Sequence, residues 1–111
     1  MAFAVLFELP DGSLQGIKAE AGEFVLDAAA RAGLALPAGC RQGWDLACAA
    51  RLLAGRLDHS AARRYYATDE RAGFALVCRA RACSDLRLRT HQAEAMRAAR
   101  DRHGLPAPRG S

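Results

Sequence analysis

Three cysteines and one aspartate stand at spacings that suit a metal centre. Cys40, Asp45 and Cys48 fall within one stretch of nine residues, and Cys78 follows thirty residues after Cys48. Thiolate sulfur is a soft metal ligand and carboxylate oxygen is a hard one, and both are negatively charged when they bind. The set therefore predicts a metal site built from one short loop and one distant segment.

The short stretch has the outline Cys-x4-Asp-x2-Cys. With cysteine in place of Asp45, this is the spacing by which a loop supplies three of the four ligands of a [2Fe–2S] cluster. Asp45 thus occupies a ligand position, and whether it binds iron decides the function. If it does, its hard oxygen favours ferric over ferrous iron, and a low reduction potential is expected.

Other interpretations of the same residues stay open. Asp45 could be an ordinary loop residue in a chain that has lost its cluster, or the same ligands could bind zinc. Cys83 is a further candidate ligand, although an extended strand would carry it roughly 16 Å beyond Cys78. Disulfides are disfavoured, because a small chain with cysteines and no secretion signal is more often a metal or redox protein.

Length and composition favour one folded domain. The 111 residues are 51% hydrophobic, which is enough for a core that does not depend on a cofactor. No apolar stretch approaches the roughly 20 residues of a membrane span, and no signal segment precedes the strand-like run that begins at Phe3. We therefore expect no membrane span and a cytoplasmic location.

Positive charge is concentrated in the last third of the chain. The net charge is +4, and the segment 79–109 holds eight arginines against three acidic residues. Arginine binds carboxylate or phosphate through two parallel hydrogen bonds, so the segment favours an acidic partner. A genome rich in G and C would give the same excess of arginine and alanine without any function, and this interpretation also stays open.

Hydrophobic periodicity and turn residues predict a small α+β domain. Strands are predicted at 3–9, 14–20, 49–57, 74–78 and 85–90, and helices at 23–32, 68–71 and 92–103. Gly55 is a possible turn or bulge, and Thr68 or Asp69 can cap the short helix. This order implies a small mixed sheet with one packed helix and a C-terminal helix, in a domain spanning 1–103 with a tail at 104–111.

Several separated segments together identify a family. They are Val25–Ala29, Leu36–Pro37, Cys40–Gly43, Gly55–Ser60, Gly73–Cys78, Ser84–Asp85, and Thr90–His91 with Glu94. In this order they resemble the plant and cyanobacterial [2Fe–2S] ferredoxins over nearly the full length of the chain. The resemblance implies the β-grasp (ubiquitin-like) ferredoxin fold and a one-electron carrier rather than an enzyme.

The resemblance also implies how the cluster is held. Cys40 and Asp45 would bind one iron, and Cys48 and Cys78 would bind the other. Gly43 would let the loop bend so that backbone N–H groups reach the cluster sulfurs, because glycine tolerates backbone angles that a Cβ forbids.

Further residues have expected roles that follow from the same resemblance. Arg41 would hydrogen-bond within the loop, and His91 matches a structural Thr–His pair. The remaining histidines, His59 and His103, are expected to be exposed.

The expected partner is a redox protein with an acidic docking surface, because opposite charges steer association and like charges suppress it. Most photosynthetic ferredoxins that the chain resembles are themselves acidic, so docking to their usual reductases is not expected. Nucleic acid is not an expected partner, because no helix-turn-helix, zinc finger or aromatic platform accompanies the basic segment. We expect a monomer. The alternative function is a cluster-free or transiently loaded β-grasp module that docks an acidic partner in binding or regulation.

Overall fold

The computed structural model describes residues 2–37 and 46–107, which contain seven strands and three helices. The strands are β1 (Ala2–Glu8), β2 (Leu14–Glu20), β3 (Ala49–Ala54), β4 (Leu57–Asp58), β5 (Phe74–Leu76), β6 (Arg81–Ala82) and β7 (Leu86–Arg89). The helices are α1 (Val25–Arg31), α2 (Ala67–Arg71) and α3 (Ala93–Arg102).

Five strands form one mixed sheet in the order β2-β1-β7-β3-β5. Strand β1 pairs antiparallel with β2 and parallel with β7, whereas β3 is antiparallel to both β7 and β5. Strands β4 and β6 pair as a separate two-stranded sheet. Strand β5, which leads to Cys78, therefore lies at one edge of the main sheet, beside β3, which begins directly after Cys48.

One hydrophobic core joins the sheet to α1. Alternation along β7 buries Leu86 and Leu88 and leaves Arg87 exposed between them, because successive side chains of a strand point to opposite faces. Helix α1 adds four buried residues to the same core: Val25, Leu26, Ala28 and Ala29.

The predicted strand at 49–57 is divided into two strands, and the division falls at Gly55, the residue predicted as a possible turn or bulge. Strand β3 ends at Ala54, and Gly55 turns the chain into β4, which belongs to the other sheet. Gly55 has φ +97°, and a Cβ at this position would collide with the carbonyl oxygen of Asp85. Only glycine fits there, so the chain divides at this residue.

The other predicted strands and helices are found with ends shifted by up to two residues. Asp69, one of the two residues predicted to cap the short helix, does cap it, but from the third helical position and not as the N-cap residue. Tyr66 is the N-cap residue of α2, and Asp69 lies three residues after it. The Asp69 Oδ2 accepts a hydrogen bond from the Tyr66 N–H at 2.9 Å. Strand β6 was not predicted, because two residues are too few to show alternation.

The described helices are short. The longest is α3, with ten residues. Within 2–37 and 46–107, none has the length and apolar character needed to cross a membrane.

Candidate iron–sulfur site

Cys48 is buried just before β3, with 4% of its surface exposed. The Ala49 N–H donates to the Leu46 carbonyl at 3.1 Å, which closes a turn around the cysteine. The Ala49 carbonyl in turn accepts a hydrogen bond from the Gln92 N–H at 3.0 Å. Gln92 follows His91, whose φ of +59° is uncommon for a residue with a Cβ. The segment after β7 thus fixes the backbone next to Cys48.

The Thr–His pair expected from the family resemblance lies in that segment. Thr90 Oγ1 and His91 Nδ1 are 2.7 Å apart, within hydrogen-bond distance. Thr90 is buried, and its carbonyl accepts a hydrogen bond from Gln92 Nε2 at 3.3 Å. These bonds stabilise the turn that reaches the start of β3.

Cys78 lies two residues beyond the end of β5 and is 5% exposed. The N-terminus of α1 holds its segment, because the Val25 N–H donates to the Ala80 carbonyl and the Leu26 N–H to the Val77 carbonyl, both at 2.9 Å. Backbone carbonyls therefore satisfy amides that the start of a helix leaves without intrahelical partners. The positive end of α1 faces the segment that carries the cysteine.

The sulfurs of Cys48 and Cys78, hereafter the sulfur pair, lie 3.2 Å apart. This is a hydrogen-bond distance, well beyond the roughly 2.05 Å of a disulfide. Two thiolates on one tetrahedral metal, each about 2.3 Å from it, lie about 3.8 Å apart. Moving the sulfurs apart by about 0.6 Å would therefore fit them to one metal. The sulfur pair fits one iron of a [2Fe–2S] cluster.

Four other predicted site residues lie outside the described residues: Cys40, Arg41, Gly43 and Asp45. Within 2–37 and 46–107, no group of three or more His, Cys, Asp or Glu side chains could hold a metal ion. The sulfur pair is thus the described half of the predicted four-residue metal site.

Cys83, the alternative ligand, is exposed. Its N–H donates to the Arg56 carbonyl at 3.0 Å, and its Sγ lies 3.9 Å from the Arg81 carbonyl oxygen. These contacts hold Cys83 beside the two-stranded sheet. In the described part of the chain it forms no three-residue metal group with the sulfur pair.

In the described part of the basic segment 79–109, Arg87, Arg89, Arg97 and Arg100 are bonded to carboxylates. Arg87 and Arg89 both contact Glu8, at 2.7 and 3.3 Å, and hydrogen bonding from Arg87 above all lowers the pKa of Glu8. Two more arginines, Arg97 and Arg100, pair with Glu94 and Asp69. These carboxylates offset much of the segment's positive charge.

The remaining basic groups lie elsewhere on the surface. The Cζ atoms of Arg79 and Arg81 lie 5.0 and 4.4 Å from the centre of the Phe24 ring, a cation–π geometry. Arg63 and Arg64 are exposed in the connection between β4 and α2.

Two aromatic residues near β5 were not predicted to matter. The expectation that His59 is exposed is wrong, because it is half-buried and stacks on Tyr65 with ring centres 3.6 Å apart. Burial lowers the pKa of His59 to about 4. Its Nε2 accepts a hydrogen bond from the Leu76 N–H, 17 residues along the chain, at 3.1 Å. No local pattern in the sequence signals so distant a contact.

Comparison with known proteins shows which family the sequence of this chain matches. Residues 9–83, more than half of the chain, match the model of the 2Fe-2S iron-sulfur cluster binding domain. Ferredoxin-2 of Synechococcus sp. is 38% identical over 81 residues, which cover 73% of this chain and 77% of that protein. Ferredoxin-6, chloroplastic, of Zea mays is 33% identical over 85 residues, which cover 77% of this chain and 55% of that protein.

Solved structures share the fold within larger chains. Pectocin M2 superposes with a TM-score of 0.75 at 24% identity, over 83% of this chain and 33% of that chain. A cytochrome P450 reductase of Amycolatopsis gives a TM-score of 0.69 at 31% identity, over 80% of this chain and 26% of that chain. The chain thus spans a third or less of these solved proteins.

These matches confirm the α+β, β-grasp fold and indicate a [2Fe–2S] cluster as the cofactor. They also indicate an electron-transfer protein rather than an enzyme. The chain belongs to the plant- and cyanobacterial-type [2Fe–2S] ferredoxin family.

Proposed function

We propose that this chain is a one-electron carrier whose [2Fe–2S] cluster is bound by Cys40, Asp45, Cys48 and Cys78. The observation that carries the proposal is the approach of Cys48 Sγ to Cys78 Sγ, 3.2 Å apart in a buried site of a chain of this family. When bound, such a cluster takes up and releases one electron.

Asp45 sets the electronic character that we propose for this carrier. A carboxylate has the same charge as a thiolate, so the net charge of the ligand set is unchanged. Its oxygen is harder than sulfur and stabilises ferric iron relative to ferrous iron. We expect the reduction potential to lie below the roughly −400 mV of plant-type ferredoxins.

Arg41 and Gly43 complete the proposed site. Gly43 allows the loop to bend close to the cluster, because no Cβ intervenes. Arg41 would supply hydrogen bonds within the loop, as the family resemblance implies. Hydrogen bonds to cluster sulfurs tune the potential, so both residues act on the same property as Asp45.

The first prediction concerns cofactor content and potential. Protein purified without oxygen should contain two irons and two acid-labile sulfides per chain, as a [2Fe–2S] cluster requires. The Asp45→Cys variant should have a higher reduction potential than the unaltered protein, and Asp45→Ala should lose cluster more readily than either. Voltammetry measures the reduction potentials, and the decay of visible absorbance after a chelator is added measures how readily each protein loses its cluster.

Three outcomes would contradict this proposal in different ways. A potential that falls in Asp45→Cys, or an unchanged cluster in Asp45→Ala, would exclude Asp45 as the ligand that lowers the potential. Zinc without sulfide would indicate a zinc site. Protein with neither iron nor sulfide would favour the cluster-free module that docks an acidic partner.

We further propose a redox protein partner with an acidic docking surface, and a monomeric carrier. The net charge of +4 and the exposed Arg63 and Arg64 support an anionic partner.

Oxidation of the reduced protein by the anion hexacyanoferrate(III) should slow severalfold at low salt when both arginines are changed to glutamate. The difference should vanish near 1 M salt, where the Debye length is about 3 Å. The control is the double change Lys18→Glu with Arg102→Glu, two exposed residues on β2 and α3, which alters the net charge by the same amount elsewhere on the surface.

A further inference from the structure

Strand β5 leads into Cys78 and lies at the edge of the main sheet. On its inner side Ala75 is paired with Ala50 of β3. Alternate residues of a strand turn their backbone groups to opposite edges, so Phe74 and Leu76 face outward. An edge strand whose outward N–H and C=O groups lack partners is weakly fixed in position.

Two side chains bond to that outer edge. The His59 Nε2 accepts a hydrogen bond from the Leu76 N–H at 3.1 Å, and the Tyr65 hydroxyl donates to the Phe74 carbonyl at 2.6 Å. Their rings stack with centres 3.6 Å apart and planes 7° from parallel. The pair therefore supplies one acceptor and one donor at the spacing at which a further strand would bond.

Both residues are in the protonation states that these bonds require. His59 can accept a hydrogen bond at Nε2 only when that nitrogen carries no proton. Burial lowers the pKa of His59 to about 4, although the negative charges of Asp58 and Asp69 act to raise it. Burial also raises the pKa of Tyr65, so its hydroxyl keeps the proton it donates. Near neutral pH, His59 is an acceptor and Tyr65 is a donor.

The bonded edge continues directly into the turn that carries Cys78. The Leu76 carbonyl accepts a hydrogen bond from the Arg79 N–H at 3.1 Å, closing a turn over Val77 and Cys78. Helix α1 holds the Val77 carbonyl on the far side. The bond from His59 to Leu76 thus anchors this turn on the strand side, at the edge of β5 opposite to its pairing with β3.

We propose that His59 and Tyr65 are positioning residues for Cys78: by bonding the outer edge of β5 they fix the turn that presents the Cys78 thiolate to the cluster. This inference rests on the proposed function for the ligand role of Cys78. The contacts that carry it involve only protein atoms, so the positioning can be measured apart from the cluster.

The test compares four variants. His59→Leu removes the acceptor at similar size, whereas His59→Gln keeps an acceptor at the end of the side chain. Tyr65→Phe removes only the hydroxyl, and Tyr66→Phe makes the same change at the neighbouring tyrosine, whose ring lies near Arg100.

Metal-free protein is labelled with a maleimide and each cysteine is followed by peptide mass spectrometry, with the exposed Cys83 as internal reference. Labelling rates are corrected for the free energy of unfolding of each variant.

Loss of a hydrogen bond to a buried amide should raise the corrected labelling rate of Cys78 by about tenfold in His59→Leu. Tyr65→Phe should give a smaller rise, and His59→Gln and Tyr66→Phe should stay near the unaltered rate. In protein loaded with iron and sulfide, cluster loss to a chelator should accelerate in the same order, with a changed visible circular dichroism spectrum in His59→Leu.

An unchanged corrected labelling rate of Cys78 in His59→Leu would overturn the proposal. A rate in His59→Gln as high as that in His59→Leu would also overturn it. These results are independent of the proposed function. If the unaltered protein takes up no cluster, the proposed function fails while the labelling still decides the positioning. If the cluster is present and Cys78 labelling is unaffected, the positioning fails alone.

Discussion

The sulfur pair and the ion pair of Arg100 with Asp69 are both buried, yet they are held in different ways. The side chains of the ion pair are 0% and 2% exposed. Arg100 donates to the Asp69 carboxylate from Nε at 3.2 Å and from Nη2 at 2.8 Å. Its Nη2 also bonds the Arg64 carbonyl at 2.7 Å, and its Nη1 the Pro106 carbonyl at 3.0 Å. All three guanidinium nitrogens therefore have protein partners.

The sulfur pair has a different environment. Both cysteines belong to the apolar core, and their sulfur atoms lie 3.2 Å apart. A metal can enter between the sulfurs after a shift of about 0.6 Å. The comparison teaches that the ion pair satisfies its charges with protein groups alone, whereas the sulfur pair in the apolar core has the spacing that the proposed metal site needs.

The largest expected effect follows from breaking the ion pair. Changing Arg100→Met leaves the Asp69 carboxylate buried without its cation and removes the donor of the Pro106 carbonyl. Breaking a buried pair by removing one partner costs about 3–5 kcal/mol. Urea denaturation of the metal-free protein should show this loss in the free energy of unfolding.

A double variant sharpens the result. Asp69→Leu combined with Arg100→Met replaces both charges by apolar groups, so it should be less destabilised than Arg100→Met alone. If the double variant were as unstable as the single one, the bonds from Arg100 to Arg64 and Pro106 would stabilise the fold more than the ion pair does.

The sequence predicts local elements better than buried contacts. The hairpin of β1 and β2 follows from alternation and from a turn at Pro10 to Ser13, and both are local signals. A turn at Gly55 was a possible interpretation of its glycine, but its close approach to the carbonyl of Asp85, thirty residues away, could not be predicted from a local pattern. Burial of Arg100 was not predicted either, because its carboxylate partner is 31 residues distant.

In the candidate site, one distant contact could be predicted from the sequence and another could not. Cys48 and Cys78 are thirty residues apart, yet their approach was predicted because a ligand spacing encodes it. The bond from His59 to Leu76 has no such spacing and was missed. Asp45 and Cys40 stay predictions, since both lie outside the described residues.

An intermediate effect is expected from acid on the region beside the sulfur pair. The pKa of His59 is about 4 in the folded chain and about 6.5 in the unfolded chain. Between these values the unfolded chain binds a proton that the folded chain does not. The free energy of unfolding should therefore fall as pH falls from 6.5 towards 4, by up to about 1.4 kcal/mol per pH unit.

Denaturation of metal-free protein between pH 6.5 and 5 measures this slope. The window lies above the range in which Glu8, Asp11, Glu23 and Asp58, all with lowered pKa, begin to bind protons. The slope should largely disappear in His59→Gln, which has no titrating ring. An equal slope in that variant would assign the acid sensitivity to another group.

The smallest effect on stability should come from the sulfur pair itself. Cys78→Ala removes one small side-chain atom from the core, so the metal-free protein should lose no more than about 1 kcal/mol. The same variant should retain little or no iron and sulfide, because one of four cluster ligands is gone. Cys83→Ala is the matched control and should change neither property.

A loss of stability in Cys78→Ala as large as that in Arg100→Met would mean that the sulfur pair, like the ion pair, is an element of the fold. A small loss with an empty cluster site would separate the two pairs, because one stabilises the chain and the other serves its cofactor.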